Sequence, residues 1–425
     1  MRLTRTLERS GPSPAELFDT HLSHTSAAPV AVAYSGGGDS LALLLAAHDW
    51  SAARGRRLIV LHVDHGLQAA SAAWARHCQT VALALGAPFQ RLCWTGPKPA
   101  TGLPAAARAA RHRLLADAAR AAGASVVLMG HTADDVLEGR QMRREGATTP
   151  DPRPWSPSPA WPEGRGVFIL RPLLSVRRAE LRAQLARQSL SWIEDPANGD
   201  LAYARARARA VLDPDGLEEP EAPAPGQALT SLARRARHGE DGTISWRRQD
   251  LRDAPDQAVA QALSIASLCA AGGARPPRRA SVDRLVEQIA TGGPFTATLA
   301  GARLVVAAEA LLVAREAGEA ARGGLGDIPL EQDRPQVWDG RYEVQTTRPG
   351  LQVGALAGRM ARLPPEARRR LAALPPAARK ALPILIAADG EVRLMMEGVS
   401  SRSLVQARFE AATGQISREP SLNQL

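Results

Sequence analysis

The chain has 425 residues, which is the length of two or three domains with cores of their own and excludes a peptide or a lone small binding module. Lys and Arg number 53 against 43 Asp and Glu, a formal +10 that favours a polyanionic partner such as nucleic acid and is silent on fold. The three cysteines, Cys78, Cys93 and Cys269, form no C-x-x-C pair. No apolar run approaches the roughly 20 residues that span a bilayer, and the first residues lack a signal-peptide core, so a reduced, cytoplasmic setting away from membranes is expected.

Residues 1–27 read as an amino-terminal extension. From Pro29 onward apolar runs alternate with helical spacing: 30–34 predicts a buried strand, 40–48 a helix, 58–63 a strand, 71–85 a helix, 89–94 a third strand, 104–122 a helix opened by proline, and 125–129 a fourth strand. This alternation predicts a parallel, Rossmann-like α/β sheet within a domain spanning 28–213. Ligands bind such sheets at the carboxyl ends of the strands, so Ser35, Asp64 and His131, each just past a strand, should converge on one crevice.

Six prolines between 149 and 166 predict a long loop or lid, and 171–192 predicts a helix. The acidic, proline-rich stretch 214–225 reads as a hinge. Beyond it, 227–288 reads as mostly helical, and 295–316 holds two apolar runs able to pair as a hairpin. A mostly helical domain over 226–330 and a carboxy-terminal accessory region over 331–425 are therefore expected. The latter carries Trp338-Asp339-Gly340-Arg341 and two Leu-Pro-Pro segments at Leu363 and Leu374, an echo too short for a repeat architecture.

Ser35-Gly36-Gly37-Gly38-Asp39-Ser40, between a strand and a helix, is the most informative stretch. Three glycines let consecutive N–H groups turn inward as an anion nest, and the following helix adds its positive end, so phosphate is the natural guest. The segment is neither a Walker A loop nor a dinucleotide fingerprint. It resembles the Ser-Gly-Gly-x-Asp-Ser loop of the N-type PP-loop ATP enzymes, which cleave ATP to AMP and pyrophosphate by adenylating a substrate oxygen. That resemblance implies that the loop holds the departing phosphates, that Asp39 helps to bind magnesium, and that Asp64 and His65, after the second strand, lie around the adenosine.

After the fourth strand stands Gly130-His131-Thr132-Ala133-Asp134-Asp135-Val136-Leu137-Glu138. On a helix Asp134, Asp135 and Glu138 cluster near its start, where grouped acids suit magnesium or an ammonium group, and where they also serve the helix dipole. Further on come Arg171-Pro172-Leu173-Leu174, Trp192 to Asn198, and Tyr203 to Arg209.

Together with Val63 to Leu67 and Ala107 to His112, this series is similar, in order and spacing, to the tRNA(Ile)-lysidine synthetases from about Pro29 to Arg209. The resemblance implies an ATP-dependent ligase that joins L-lysine to carbon 2 of the wobble cytidine of an isoleucine tRNA with anticodon CAU, through an adenylated cytidine. It implies catalytic roles for Asp39, Asp135 and Glu138, and magnesium on Asp39 and Asp134. It also implies lysine binding by Arg111, with Arg108 as its rival, together with Asp135 and Glu138. Arg205 and Arg209, four apart, suit RNA phosphates and equally suit a solvated face, and the helical region after the hinge is expected to bind tRNA. The oligomeric state stays open, a homodimer being one reading. Between Leu351 and Lys380 seven basic residues face one acid, a balance that suits an RNA contact as it suits a solvated helix.

The chain departs from the family at Val136 and Gly139, where Gln and Thr are usual, and in the segment Gln141 to Gly146. Two other readings stay in view: a tRNA thiolation enzyme, which would need cysteines near the site, and a catalytically silent RNA-binding paralogue.

Overall fold

The computed structural model describes residues 13–147, 152–199, 204–212, 226–318, 325–394 and 396–420. The chain divides into two compact units, Met1–Ala224 with Ile416–Leu425, and Pro225–Gln415. The expected hinge at 214–225 lies outside the described residues.

The first unit runs α1 (Pro14–His21), β1 (Val30–Ala33), α2 (Gly38–Ala53), β2 (Leu58–Asp64), α3 (Ser71–Ala84), β3 (Phe89–Cys93), α4 (Leu103–Ala121), β4 (Val126–Met129), α5 (Ala133–Arg144), β5 (Trp155–Pro157), β6 (Phe168–Leu170), α6 (Arg178–Arg187) and α7 (Ala204–Val211). Its six strands lie in the order β3-β2-β1-β4-β6-β5. All neighbours are parallel except β5, which runs antiparallel to β6. The central strands are apolar on both faces because helices cover both. Val30 and Val32 of β1 pack with Leu43, Leu44 and Cys78 of α2 and α3, while the alternate residue Ala31 packs with Leu115 and Ala119 of α4. The chain moves outward from β1 through β2 to β3, then returns to the other side of β1 for β4. The strand order thus reverses between β1 and β4, where a crevice opens at the carboxyl ends.

Two expectations for this unit are corrected. The proline-rich stretch is not all loop: Trp155–Pro157 pairs with Phe168–Leu170, with Ser156 opposite Ile169. Pro157 is tolerated because β5 is the sheet edge, where only one side of the backbone needs donors, and the Trp155 ring adds a stack on Phe168 at 4.8 Å. The single helix expected over 171–192 is confined to Arg178–Arg187. Pro172 and the turn that follows precede it, and Ser189 at φ +57° ends it. Residues 13–27 pack onto the same core. Phe18 lies 5.7 Å from the Trp50 ring, and Asp19 accepts from Trp50 Nε1 at 2.7 Å.

In the second unit the helices expected over 227–288 are present at Gln227–Ala233, Asp256–Ala271 and Arg279–Thr291. The expected hairpin is larger. Phe295–Leu299, Ala302–Val306 and Ala310–Arg315 form an antiparallel meander extended by Ile244–Arg247 and Arg237–His238 into a five-stranded sheet. The rest folds as a four-stranded and a three-stranded sheet, and Val405–Ala412 brings Phe409 back to the core that Trp246 and Leu263 share beneath the five-stranded sheet of this same unit. The Trp338 to Arg341 motif is structural here. Buried Asp339 accepts from Arg315 at 3.0 Å and from Arg341 at 2.7 Å, and Trp338 Nε1 donates to Gly326 O at 2.9 Å.

Candidate active site

The crevice between β1 and β4 is a cavity of about 640 Å³. Ser35, Asp64 and His131 all line it, as the strand pattern predicts.

The glycine loop forms its floor. Gly36 is left-handed at φ +92°, and a Cβ there would stand 2.4 Å from Ile193 Cδ1, so the position needs glycine on two counts. Ile193 in turn donates its N–H to Gly36 O at 2.9 Å, which lets the extended 192–195 segment brace the loop from outside. Ser40 Oγ donates to Gly37 O at 2.9 Å and lies 3.0 Å from Ser35 Oγ, closing the loop into a ring. Gly38 opens α2, whose first N–H groups have no intrahelical acceptor. At Gly130 a Cβ would meet the Asp39 carbonyl oxygen at 3.1 Å, so the end of β4 and the start of α2 touch at backbone distance. Of the predicted loop residues, Ser35, Gly37, Gly38, Asp39 and Ser40 line the cavity, and Gly36 is buried behind them.

Asp64 and His65 form one wall. Asp64 Oδ1 accepts the Gly66 N–H at 2.8 Å, and Oδ2 accepts two donors of Arg91, one at 3.0 Å. Burial works to raise this carboxyl, but Arg91 and Gly66 outweigh it and hold the pKa below 3.8. Burial lowers the pKa of His65, helped by nearby Arg111, which favours the neutral imidazole.

The acids meet on the other wall around a residue that pattern reasoning missed. Arg178, at the start of α6, donates from Nε to Asp39 Oδ2 at 2.9 Å and from Nη1 to Glu138 Oε1 at 3.1 Å, with Nη2 3.7 Å from Asp135 Oδ2. Its backbone N–H donates to Asp134 Oδ2 at 2.7 Å. Burial opposes its charge, yet Asp135 and Asp39 raise its pKa above the ordinary value. Nothing local distinguishes Arg178 from Arg177 beside it, because the signal is four carboxylates brought in from far along the chain. Asp39 is pushed up by burial, with Arg178 acting against the shift. Asp135 is held by Thr132, whose backbone N–H and hydroxyl both donate to Oδ2, at 2.8 and 3.0 Å. Glu138, 1 % exposed, also accepts from Arg209 Nε at 2.8 Å, and Arg205 lies 3.5 Å from both Asp135 and Glu138. Arg205 and Arg209, read as suited to RNA phosphates, therefore turn inward and line the cavity.

Arg111 lines the cavity with its Nε buried and without a hydrogen-bond partner; burial, with Arg108 and Arg205 nearby, lowers its pKa to about 10. Val136 and Gly139, the departures on α5, are buried and stand outside the cavity wall.

Magnesium, implied by the ATP chemistry, fits one of its two expected ligands. Asp39 Oδ1 is buried with no hydrogen-bond partner, and an ion carried on phosphate oxygens needs only one or two carboxylates. Asp134 does not fit, since its two oxygens are engaged by Arg177 and Arg178. Among the described residues no group of three or more His, Cys, Asp or Glu could hold an ion by itself.

A family profile described as a PP-loop domain matches residues 14–215. The tRNA(Ile)-lysidine synthase of Caulobacter vibrioides is 48 % identical over 95 % of this chain and 97 % of its own. This chain belongs to the tRNA(Ile)-lysidine synthase family. A lysidine synthase from Hyphomonas neptunium is 39 % identical over 69 % of this chain and 81 % of its own, and one from Rhizobium meliloti is 34 % identical over 77 % and 75 %. A solved U34-tRNA thiolase from Methanococcus maripaludis is similar over 47 % of this chain and 70 % of its own, at 15 % identity and a TM-score of 0.39. As a lysidine synthase the chain is an ATP-dependent ligase, and the Ser35 to Ser40 segment at the β1 carboxyl end lies within the matched PP-loop domain. No helix among the described residues is long and apolar enough to cross a membrane.

Proposed function

We propose that this lysidine synthase acts on the wobble cytidine of tRNA(Ile) with anticodon CAU and takes L-lysine as the incoming amine, with the two half-reactions occurring in the single cavity between β1 and β4. The observation that carries this reading is that the glycine loop and Asp135 line one space of about 640 Å³, with Arg178 on the same wall bridging Asp39 of the loop to the buried Glu138.

In the first half-reaction the loop N–H groups and the start of α2 receive the phosphates, with Asp64 and His65 beside the nucleoside. Magnesium would be held by Asp39 and would supply charge neutralisation on the phosphates. The cytosine carbon 2 oxygen attacks the α-phosphorus, the bond to the pyrophosphate oxygen breaks, and a poor leaving oxygen becomes a phosphate ester. In the second half-reaction the lysine side-chain amine, whose pKa is about 10.4 in water, sheds a proton, attacks carbon 2 and expels AMP. Asp135, which lines the cavity, and Glu138 beside it suit the ammonium and the proton it sheds, and Arg111, with its free Nε, suits the α-carboxylate. Positioning supplies most of the acceleration.

A sulfur-transfer reading finds no chemistry here. Cys78 is buried behind the loop with its thiol pushed up to about 12, Cys93 is exposed at the end of β3, and neither lines the cavity. Incubation with ATP, magnesium, labelled lysine and total tRNA should place label in one nucleoside of an isoleucine tRNA. Label retained only in free lysine while ATP is consumed would reject the assignment.

A further inference from the structure

Arg178 stands where the two half-reactions meet. Its side chain is 15 % exposed and lines the same cavity as Gly37 and Gly38, and one guanidinium bonds both Asp39 of the loop and Glu138 of the acid helix. Between Ser35 and Ser40 there is no lysine or arginine, so the charge that appears on the departing pyrophosphate has to be met by a cation from another element. Arg178 is that cation at the shortest remove, already 2.9 Å from the loop's own acid. Its planar fork matches phosphate oxygens, two donors to one group, better than it matches three separate carboxylates.

We propose that Arg178 is a catalytic residue of the adenylation step. When ATP fills the loop, its guanidinium turns from Glu138 to the phosphates that leave as pyrophosphate, and in doing so it opens the acid cluster to the lysine ammonium. Arg205 and Arg209 already stand beside Asp135 and Glu138, so while Arg178 also sits there an incoming ammonium meets a third like charge at close range. The atoms Arg178 leaves are Glu138 Oε1 and Asp135 Oδ2, which it holds at 3.1 and 3.7 Å, while Arg209 keeps its bond to Glu138 Oε1 and Arg205 stays 3.5 Å from Glu138 Oε2 and Asp135 Oδ1. Lysine binding therefore follows nucleotide binding, and an amine held too early, before there is an adenylate to attack, is excluded.

The inference rests on the ligation reading above, and its test separates the two. Equilibrium dialysis of labelled lysine against the full chain, with and without magnesium and a non-hydrolysable α,β-methylene ATP, should show binding tightened about fivefold or more by the analogue. In Arg178→Gln lysine should bind equally with and without the analogue, and tRNA-dependent exchange of pyrophosphate into ATP should fall on the order of 100-fold. Arg178→Lys, which keeps the charge without the fork, should recover part of that exchange. Wild-type lysine affinity indifferent to the analogue overturns the proposal, as does exchange in Arg178→Gln within about threefold of wild type. Should the Gln variant melt early, the wild-type dialysis decides by itself. If the ligation reading is at fault, wild-type enzyme transfers no lysine to tRNA; if only the role of Arg178 is at fault, transfer persists.

Discussion

Arg209 of α7 donates from Nε to Glu138 Oε1 of α5 at 2.8 Å, across 71 residues of sequence, and so turns a basic stretch that invites an RNA reading toward the interior of the cavity. Glu138, 1 % exposed, takes Arg209 and Arg178 together on Oε1, so removing either cation leaves a buried carboxylate with one charged partner fewer on that oxygen.

The inward orientation has a measurable signature. Arg209→Gln should lower kcat/KM for lysine by about tenfold, the scale of a charged hydrogen bond lost. The slope of log K for tRNA binding against log salt should be unchanged. A phosphate contact would instead reduce that slope by about 1.

Gly36→Ala meets both a left-handed backbone, at φ +92°, and the Ile193 side chain, 2.4 Å from the new methyl. The strain of about 1–3 kcal/mol falls on the phosphate loop, so KM for ATP should rise with little change in KM for lysine. The double variant with Ile193→Ala should recover only part of the loss, since it relieves the contact and leaves the backbone conformation. Full recovery would place the whole effect in the contact.

The Asp64–Arg91 pair has a definite pH sign. The folded carboxyl lies below 3.8, so its contribution is fully present above that value and is lost as pH falls through the lower folded value. Arg91→Gln should cost about 0.5 kcal/mol at pH 7, a modest figure because Arg91 is partly in solvent, and the difference from wild type should shrink as pH drops below that window. Urea midpoints across the pH range measure it.

Residues 416–420 are part of the first unit, and Glu419 accepts from both Nη atoms of Arg56, at 3.1 and 3.0 Å, with the two side chains 2 % and 1 % exposed. Arg56 also donates to Ala28 O, and Trp155 Nε1 donates to Ile416 O at 2.8 Å. Glu419→Ala leaves a buried, unpaired guanidinium and should destabilise this unit by about 3–5 kcal/mol, while the double variant Arg56→Met with Glu419→Leu should regain most of that. Thermal melting followed at the α/β unit reads both.

Much of the local framework is legible in the amino-acid order. Apolar strands such as Val30–Ala33, the glycine loop and the helix after it, and the acids opening α5 are written in stretches of fewer than ten residues, because hydrogen bonds along a helix and the freedom of glycine act between near neighbours. The crevice is legible as well, since strand and helix in alternation leave few ways to cover both faces of a sheet. What only the tertiary structure decided is which charges meet. Arg178 and Asp39 are 139 residues apart, Asp134 is drawn off to Arg177 and Arg178, Arg205 and Arg209 point inward, and a proline-rich stretch becomes an edge strand because β6 lies beside it. A side-chain ion pair depends on the distance that packing sets between two elements, and no periodicity within either element records that distance.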